Sequence, residues 1–154
     1  MNYKIRQMTI DDINDVIKGE SNAFGESLGF DMLYQELTIN PSACYFVLEI
    51  DNKIRGYIGT WINENAEIVN FYIDKKYQNQ GFGKMLLNFL LDLIEMVNED
   101  SFRIKNLSLE VRVSNIKAIR LYEKFGFTKS HIRKNYYKDG EDAIVMIKDF
   151  EVNK

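Results

Sequence analysis

The residues with the most chemical promise lie at a bend. Gln78-Asn79-Gln80-Gly81-Phe82-Gly83-Lys84 separates an apolar stretch, Ile68 to Ile73, from an apolar helical pattern, Met85 to Ile94. A helix begins with unpaired N–H groups at the positive end of its dipole, so this bend could hold an anion. Gly81 and Gly83, having no side chain, would let a phosphate approach those groups. The spacing is not that of a Walker loop, and Leu86 stands where a dinucleotide fingerprint has its third small residue. On spacing alone, the glycine pair fits tight helix–strand packing as well as it fits phosphate binding. Two other reactive residues carry less. His131 is the sole histidine and reads as a structural strand residue. Cys44 could suggest a covalent nucleophile, but it opens a strand remote in sequence from the bend and has no local base.

The elements that must position this bend follow from periodicity. Tyr3 to Met8 alternates as a first strand, and Thr9 is placed to cap a helix with Ile13, Val16 and Ile17 on one face. Residues 19–29 read as a loop holding Phe24 and Glu26. Asp31 to Thr38 reads as a second helix, ended before Pro41. Cys44–Ile50, Ile54–Ile62 and Ala66–Asp74 form a three-stranded meander that leads into the glycine bend. The helix from Phe82 to about Val97 is apolar on more than one face and must pack on a sheet. Leu107 to Val113 alternates strictly, with Leu107, Leu109, Val111 and Val113 on one face and Ser108, Glu110 and Arg112 on the other. Ser114 is placed to cap a helix from Asn115 to Phe125, closed by Gly126. Asn115 and Tyr122 share a face of it. Strands Phe127–Arg133 and Ala143–Ile147 end the pattern, with a turn at Asp139-Gly140. The order β-α-α-β-β-β-α-β-α-β-β predicts an α/β fold, a mixed sheet with helices on both faces.

Four segments in order resemble the Gcn5-related N-acetyltransferase (GNAT) superfamily, and within it the bacterial ribosomal-protein-alanine N-acetyltransferases. They are the Gln-x-x-Gly-x-Gly bend at Gln78 to Gly83; Leu109-Glu110-Val111-Arg112-Val113-Ser114-Asn115; Ala118 through Tyr122 to Phe127; and Arg133-Lys134-Asn135-Tyr136-Tyr137 with Glu141-Asp142-Ala143. The bend is common to the superfamily. The Leu-Glu-Val-Arg and Asn-Tyr-Tyr segments are more specific to enzymes that act on protein N-termini. The resemblance implies a GNAT fold with a mostly antiparallel sheet of about seven strands in a single domain over residues 1–154. It implies transfer of an acetyl group from acetyl-coenzyme A (acetyl-CoA) to the N-terminal alanine amine of a small-subunit ribosomal protein.

By the same resemblance, Glu110 is the general base, and Tyr122 protonates the departing sulfur. Phe71, Tyr72 and Ile73 pair with the pantetheine arm through their backbone. Asn79, Gln80, Gly81, Phe82, Gly83 and Lys84 hold the pyrophosphate, and Gln78 and Asn115 also bind the cofactor. Gln80 stands where relatives often have a basic residue, which leaves the phosphates to backbone donors and Lys84. Tyr136 and Tyr137 form an aromatic lid over the acceptor, with Phe24 and Glu26 on the opposite wall. The residues alone also fit a solvated Glu110 beside Arg112, a core Tyr122 and a capping Asn115. The chemistry suits an α-amine: with a pKa near 7.7–8.0, roughly a tenth of it is already neutral at pH 7, against a few parts in ten thousand for lysine. Such an acceptor asks little of its base, and a carboxylate acting through water suffices. The alternatives are an enzyme that acetylates lysine side chains or a small amine, and a non-catalytic acyl-CoA-binding module.

Bulk properties narrow the rest. The chain has 154 residues and a net charge of −3, so no global basic field invites nucleic acid. A lone cysteine, Cys44, supports neither an intramolecular disulfide nor a Cys-based metal cluster. No apolar run reaches membrane-spanning length, and residues 1–20 are too polar for a signal peptide. The expectation is a cytoplasmic monomer that binds acetyl-CoA and a protein N-terminus, with no metal, nucleic acid or membrane.

Overall fold

In a computed structural model of the chain, residues 2–25, 27–100 and 102–150 are described. Strands form where apolar residues alternate or run continuously: β1 Tyr3–Gln7, β2 Ala43–Ile50, β3 Lys53–Trp61, β4 Asn65–Ile73, β5 Asn106–Arg112, β6 Thr128–Arg133 and β7 Ala143–Asp149. Helices α1 Ile13–Phe24, α2 Phe30–Thr38, α3 Phe82–Asp100 and α4 Ile116–Lys124 lie between them. The strands make one seven-stranded sheet in the order β1-β2-β3-β4-β5-β7-β6. Every neighbouring pair is antiparallel except β4 and β5.

Each sheet face is covered by its own apolar core. Leu86, Leu87, Leu90 and Ile94 of α3 and Ile119 of α4 pack on Leu107, Leu109 and Val111 of β5. On the opposite face, Ile13 and Val16 of α1 and Leu33 of α2 meet Val47, Tyr57 and Tyr72. The alternation of β5 therefore turns Ser108, Glu110 and Arg112 toward the α1–α2 face.

The chain from β1 into α1 is held by charge as well as packing. Asp12 is bidentate to Arg6, with both N–O distances 2.8 Å, and accepts a 2.8 Å bond from the Thr9 N–H. Thr9 opens a short 3-10 turn, Ile10–Asp12, and α1 follows it. The expected loop from Gly19 is instead the second half of α1, which continues to Phe24. Gly19 does not break the helix. It makes room, because a Cβ there would collide with the Tyr72 hydroxyl from β4.

The parallel contact of β4 with β5 is short. Asn65, Ala66 and Glu67 pair with Asn106, Leu107 and Ser108, and there the ladder stops. The register between β3 and β4 shifts just beyond this point: Thr60 pairs with Ile68 and Gly59 with Asn70, so Val69 is left unpaired. Such a bulge bends a strand and increases its twist. Ile68–Ile73 stays with β3, Leu109–Arg112 stays with β7, and the sheet opens between them.

Candidate active site

The opening in the sheet is the floor of a cleft of about 1170 Å³, lined by both lips, the glycine bend, α4 and the β6–β7 connection. On the β4 lip, Phe71, Tyr72 and Ile73 all line it. The Tyr72 and Ile73 side chains are buried, so they face the cleft mainly through backbone.

At the end of β4 the bend is braced by its own side chains. Gln78 Nε2 donates to the Ile73 carbonyl at 2.9 Å, and Gln80 Nε2 donates to the Lys76 carbonyl at 3.1 Å. Asn79 and Gly81 adopt left-handed backbone, with φ of 65° and 88°. For Gly81 that conformation explains the residue type. Gly83 has no such requirement. A Cβ there would meet Leu121, Phe71 and Ile73 only at ordinary contact, 3.9–4.0 Å. Packing within the chain therefore does not demand glycine at Gly83, and the open space faces the cleft. Lys84 also lines it. Phe82 does not: its ring is buried, edge-on to Tyr3 and Tyr77, so only its backbone is available to a ligand. Lys117 of α4 contacts the Asn79 side chain across the mouth. Asn115, not Ser114, caps α4: its Oδ1 accepts from the Ala118 N–H at 3.2 Å. The expected helix start is corrected by one residue, because Asn115 itself has non-helical backbone while its side chain reaches the first turn.

Glu110 and Tyr122 stand on opposite faces of the opened sheet and both line the cleft. The Glu110 side chain is about a quarter exposed (26%) and lies 3.7 Å from the Arg133 guanidinium. Burial raises its pKa above the ordinary glutamate range, and Glu67 adds to the rise. Arg133 and His131 oppose it without cancelling it. Tyr122 is 8% exposed, with Phe127 at 5.7 Å and Phe71 at 6.5 Å between ring centres. Burial pushes its hydroxyl pKa above that of a free phenol, so it keeps its proton at neutral pH.

Over the opening lies the connection from β6 to β7. Tyr136 and Tyr137 line the cleft, ring to ring at 5.0 Å and perpendicular. Arg112 stacks 4.0 Å from the Tyr137 ring centre and bonds Asp139 and Glu141 at 2.8 and 2.9 Å. Glu141 in turn accepts from the Ser114 N–H at 2.9 Å. This network ties the tyrosine segment to the start of α4. Burial raises the Tyr137 hydroxyl to about 12. On the opposite wall, Phe24 closes α1 with a side chain outside the described set, and Glu26 lies outside the described residues.

Sequence reasoning passed over Glu20 and Asn70. Glu20 of α1 is 1% exposed and lines the cleft wall. Its Oε2 accepts from Asn70 Nδ2, and the Tyr57 hydroxyl and the Leu28 N–H also favour its charged form. Burial raises the Glu20 pKa. An amide inside the apolar run Ile68-Val69-Asn70-Phe71 was the available signal, since buried polar groups need partners.

Among the described residues no cluster of His, Cys, Asp or Glu could hold a metal, and no helix is long and apolar enough to cross a membrane.

The chain matches the Acetyltransferase (GNAT) family over residues 10–127. It is 42% identical over 144 residues to a Bacillus subtilis protein provisionally named a ribosomal protein bS18-alanine N-acetyltransferase, with 92% of each chain covered. It is 30% identical over 157 residues to an N-alpha-acetyltransferase of Sulfurisphaera tokodaii, covering 94% of this chain and 91% of that one. Its structure superimposes on the crystal structure of the Escherichia coli ribosomal-protein-S18-alanine N-acetyltransferase with a TM-score of 0.87 and 30% identity, covering 99% of this chain and 97% of the other. A sheet parted between two strands, a glycine bend at one end and a matching family signature through both make this chain a member of the GNAT acetyltransferases, enzymes that move an acetyl group onto an amine nitrogen.

Proposed function

We propose that this protein is a single-domain, monomeric N-alpha-acetyltransferase that transfers acetyl from acetyl-CoA to the N-terminal alanine amine of a small-subunit ribosomal protein. The observation that carries the reading is the gap between β4 and β5, with a carboxyl on one side and a phenol on the other. The relatives' names supply the acceptor. Residues 71–73 offer strand backbone to the pantetheine arm. The bend from Gln78 to Lys84 offers N–H groups and one ammonium to the pyrophosphate, and Asn115 caps α4 beside it.

In the reaction, the acceptor nitrogen attacks the thioester carbon directly. A C–N bond forms, the C–S bond breaks, and coenzyme A leaves as a thiolate. The ammonium's proton passes, through water, to Glu110, whose raised pKa makes it a better acceptor than a solvated glutamate. The Tyr122 hydroxyl gives its proton to that thiolate, coenzyme A is released as the thiol, and the phenolate regains a proton from solvent. Tyr136 and Tyr137 cover the acceptor's first residues and exclude water.

The test is mass spectrometry of peptides incubated with the protein and acetyl-CoA. A peptide that begins with alanine gains one acetyl group at its N-terminus. If only an N-terminally blocked lysine peptide or a polyamine is acetylated, the side-chain or small-amine reading replaces this one. Cofactor binding without any turnover would leave a binding module.

A further inference from the structure

Arg133 has no part in the chemistry above, yet its guanidinium stands beside two residues of the acceptor side, Glu110 and Tyr136. It lies 3.7 Å from Glu110 and 5.7 Å from the Tyr136 ring centre. Glu67 completes the surroundings: it pairs with Ser108 at the last rung of the β4–β5 ladder, one strand repeat from Glu110 on the same face. Carboxylates and an aromatic face are what any ammonium seeks. Arg133 is loosely held there. Arg55 stands 3.5 Å from Asp74, whereas Arg6 and Arg112 grip Asp12 and Glu141 at 2.8–2.9 Å. Arg133 makes no bond of that length to Glu110, and half of its side chain is exposed (51%).

Building on the reading that Glu110 faces the acceptor amine, we propose that Arg133 is a placeholder cation: it rests against the Glu110 carboxyl that would receive the acceptor's ammonium and swings away when the acceptor enters. While in place, its charge opposes the rise that burial imposes on the Glu110 pKa and so favours the carboxylate. Once it leaves and the amine begins to lose its proton, burial and Glu67 favour protonation of Glu110. The charged and titratable groups facing Glu110 are Glu67 of β4, Arg133 and His131 of β6, and Tyr136 and Tyr137 of the lid. Amines that bind too weakly to displace the guanidinium are excluded.

Two measurements test this on the intact protein. The first is a ¹³C NMR titration of the Glu110 carboxyl in the free protein. R133Q is expected to raise its pKa, E67Q to lower it, and R133K to leave it near the wild-type value. The second is calorimetric affinity for an alanine-starting peptide in the presence of coenzyme A. R133Q is expected to bind about two- to fivefold tighter, the change that release of an exposed ion pair corresponds to. Weaker or unchanged peptide binding in R133Q, or a Glu110 titration that ignores the substitution, overturns the proposal. The catalytic reading is judged separately by E110Q: wild-type turnover there removes Glu110 as base, while the two measurements still decide the role of Arg133.

Discussion

Tyr122 is buried against Phe71 and Phe127 and could pass for an ordinary core aromatic. What separates the two roles is the hydroxyl, since Phe keeps the ring packing and deletes only the proton. Tyr122→Phe is expected to lower kcat by about 10–10⁴-fold, the range of a general acid, with an unchanged circular dichroism spectrum and melting temperature. Wild-type turnover would return Tyr122 to the core. Glu110 makes a pH prediction. Its pKa is raised, so the carboxylate form, the base of the proposed mechanism, is lost at a higher pH than for a free glutamate. The acid limb of kcat/KM should therefore lie above the usual value of about 4.3, and activity should fall as pH drops through it. Both residues were legible as types at plausible spacing. Sequence could not supply burial, which sets the protonation of each. Glu20 was illegible because its partner Asn70 is fifty residues away.

At the scale of elements, the glycine bend and the β1–α1 corner do different work. Gly81→Ala places a side chain at φ 88° and strains the backbone, at a cost of about 1–2 kcal/mol. Gly83→Ala meets nothing closer than 3.9 Å in the chain itself. Its expected signature is a raised KM for acetyl-CoA at an unchanged melting temperature, and an unaltered KM would return Gly83 to simple packing. The Arg6–Asp12 pair anchors the start of α1. Hydrogen bonds from Arg6 hold the Asp12 carboxyl below its ordinary pKa. A carboxylate with a depressed folded pKa stabilises the fold above its unfolded pKa of about 3.9, and that contribution disappears as pH falls through the folded value. Asp12→Asn should cost about 1.5–3 kcal/mol at pH 7, read by urea unfolding, and less than that at pH 3. The alternation of β5 and the apolar faces of α3 were plain in the sequence, because a core on one side of each imposes a period. The continuation of α1 through Gly19 was not. A glycine in a helical pattern signals a break unless one knows that Tyr72 passes over it.

At the scale of the molecule, the proposed function seats the cofactor between the facing edges of β4 and β5, which do not pair with each other beyond Glu67 and Ser108. Ligand that binds only the folded state stabilises it by about 2.7 kcal/mol at a hundred times its dissociation constant. Saturating coenzyme A should therefore raise the melting temperature, and should slow amide exchange most along residues 68–73 and 109–112. Protection spread evenly over the sheet would count against the cleft as the binding site. The sequence by itself determined the order of helices and strands, the two apolar faces of the sheet and the glycine bend, because these depend on neighbours a few residues apart. Tertiary structure alone decided that β4 and β5 part after three rungs, that Glu110 and Tyr122 share one cleft, and that Arg133 rests against the carboxyl. Those facts arise from register across the sheet and from charge and burial contributed by distant segments, and no local pattern encodes them.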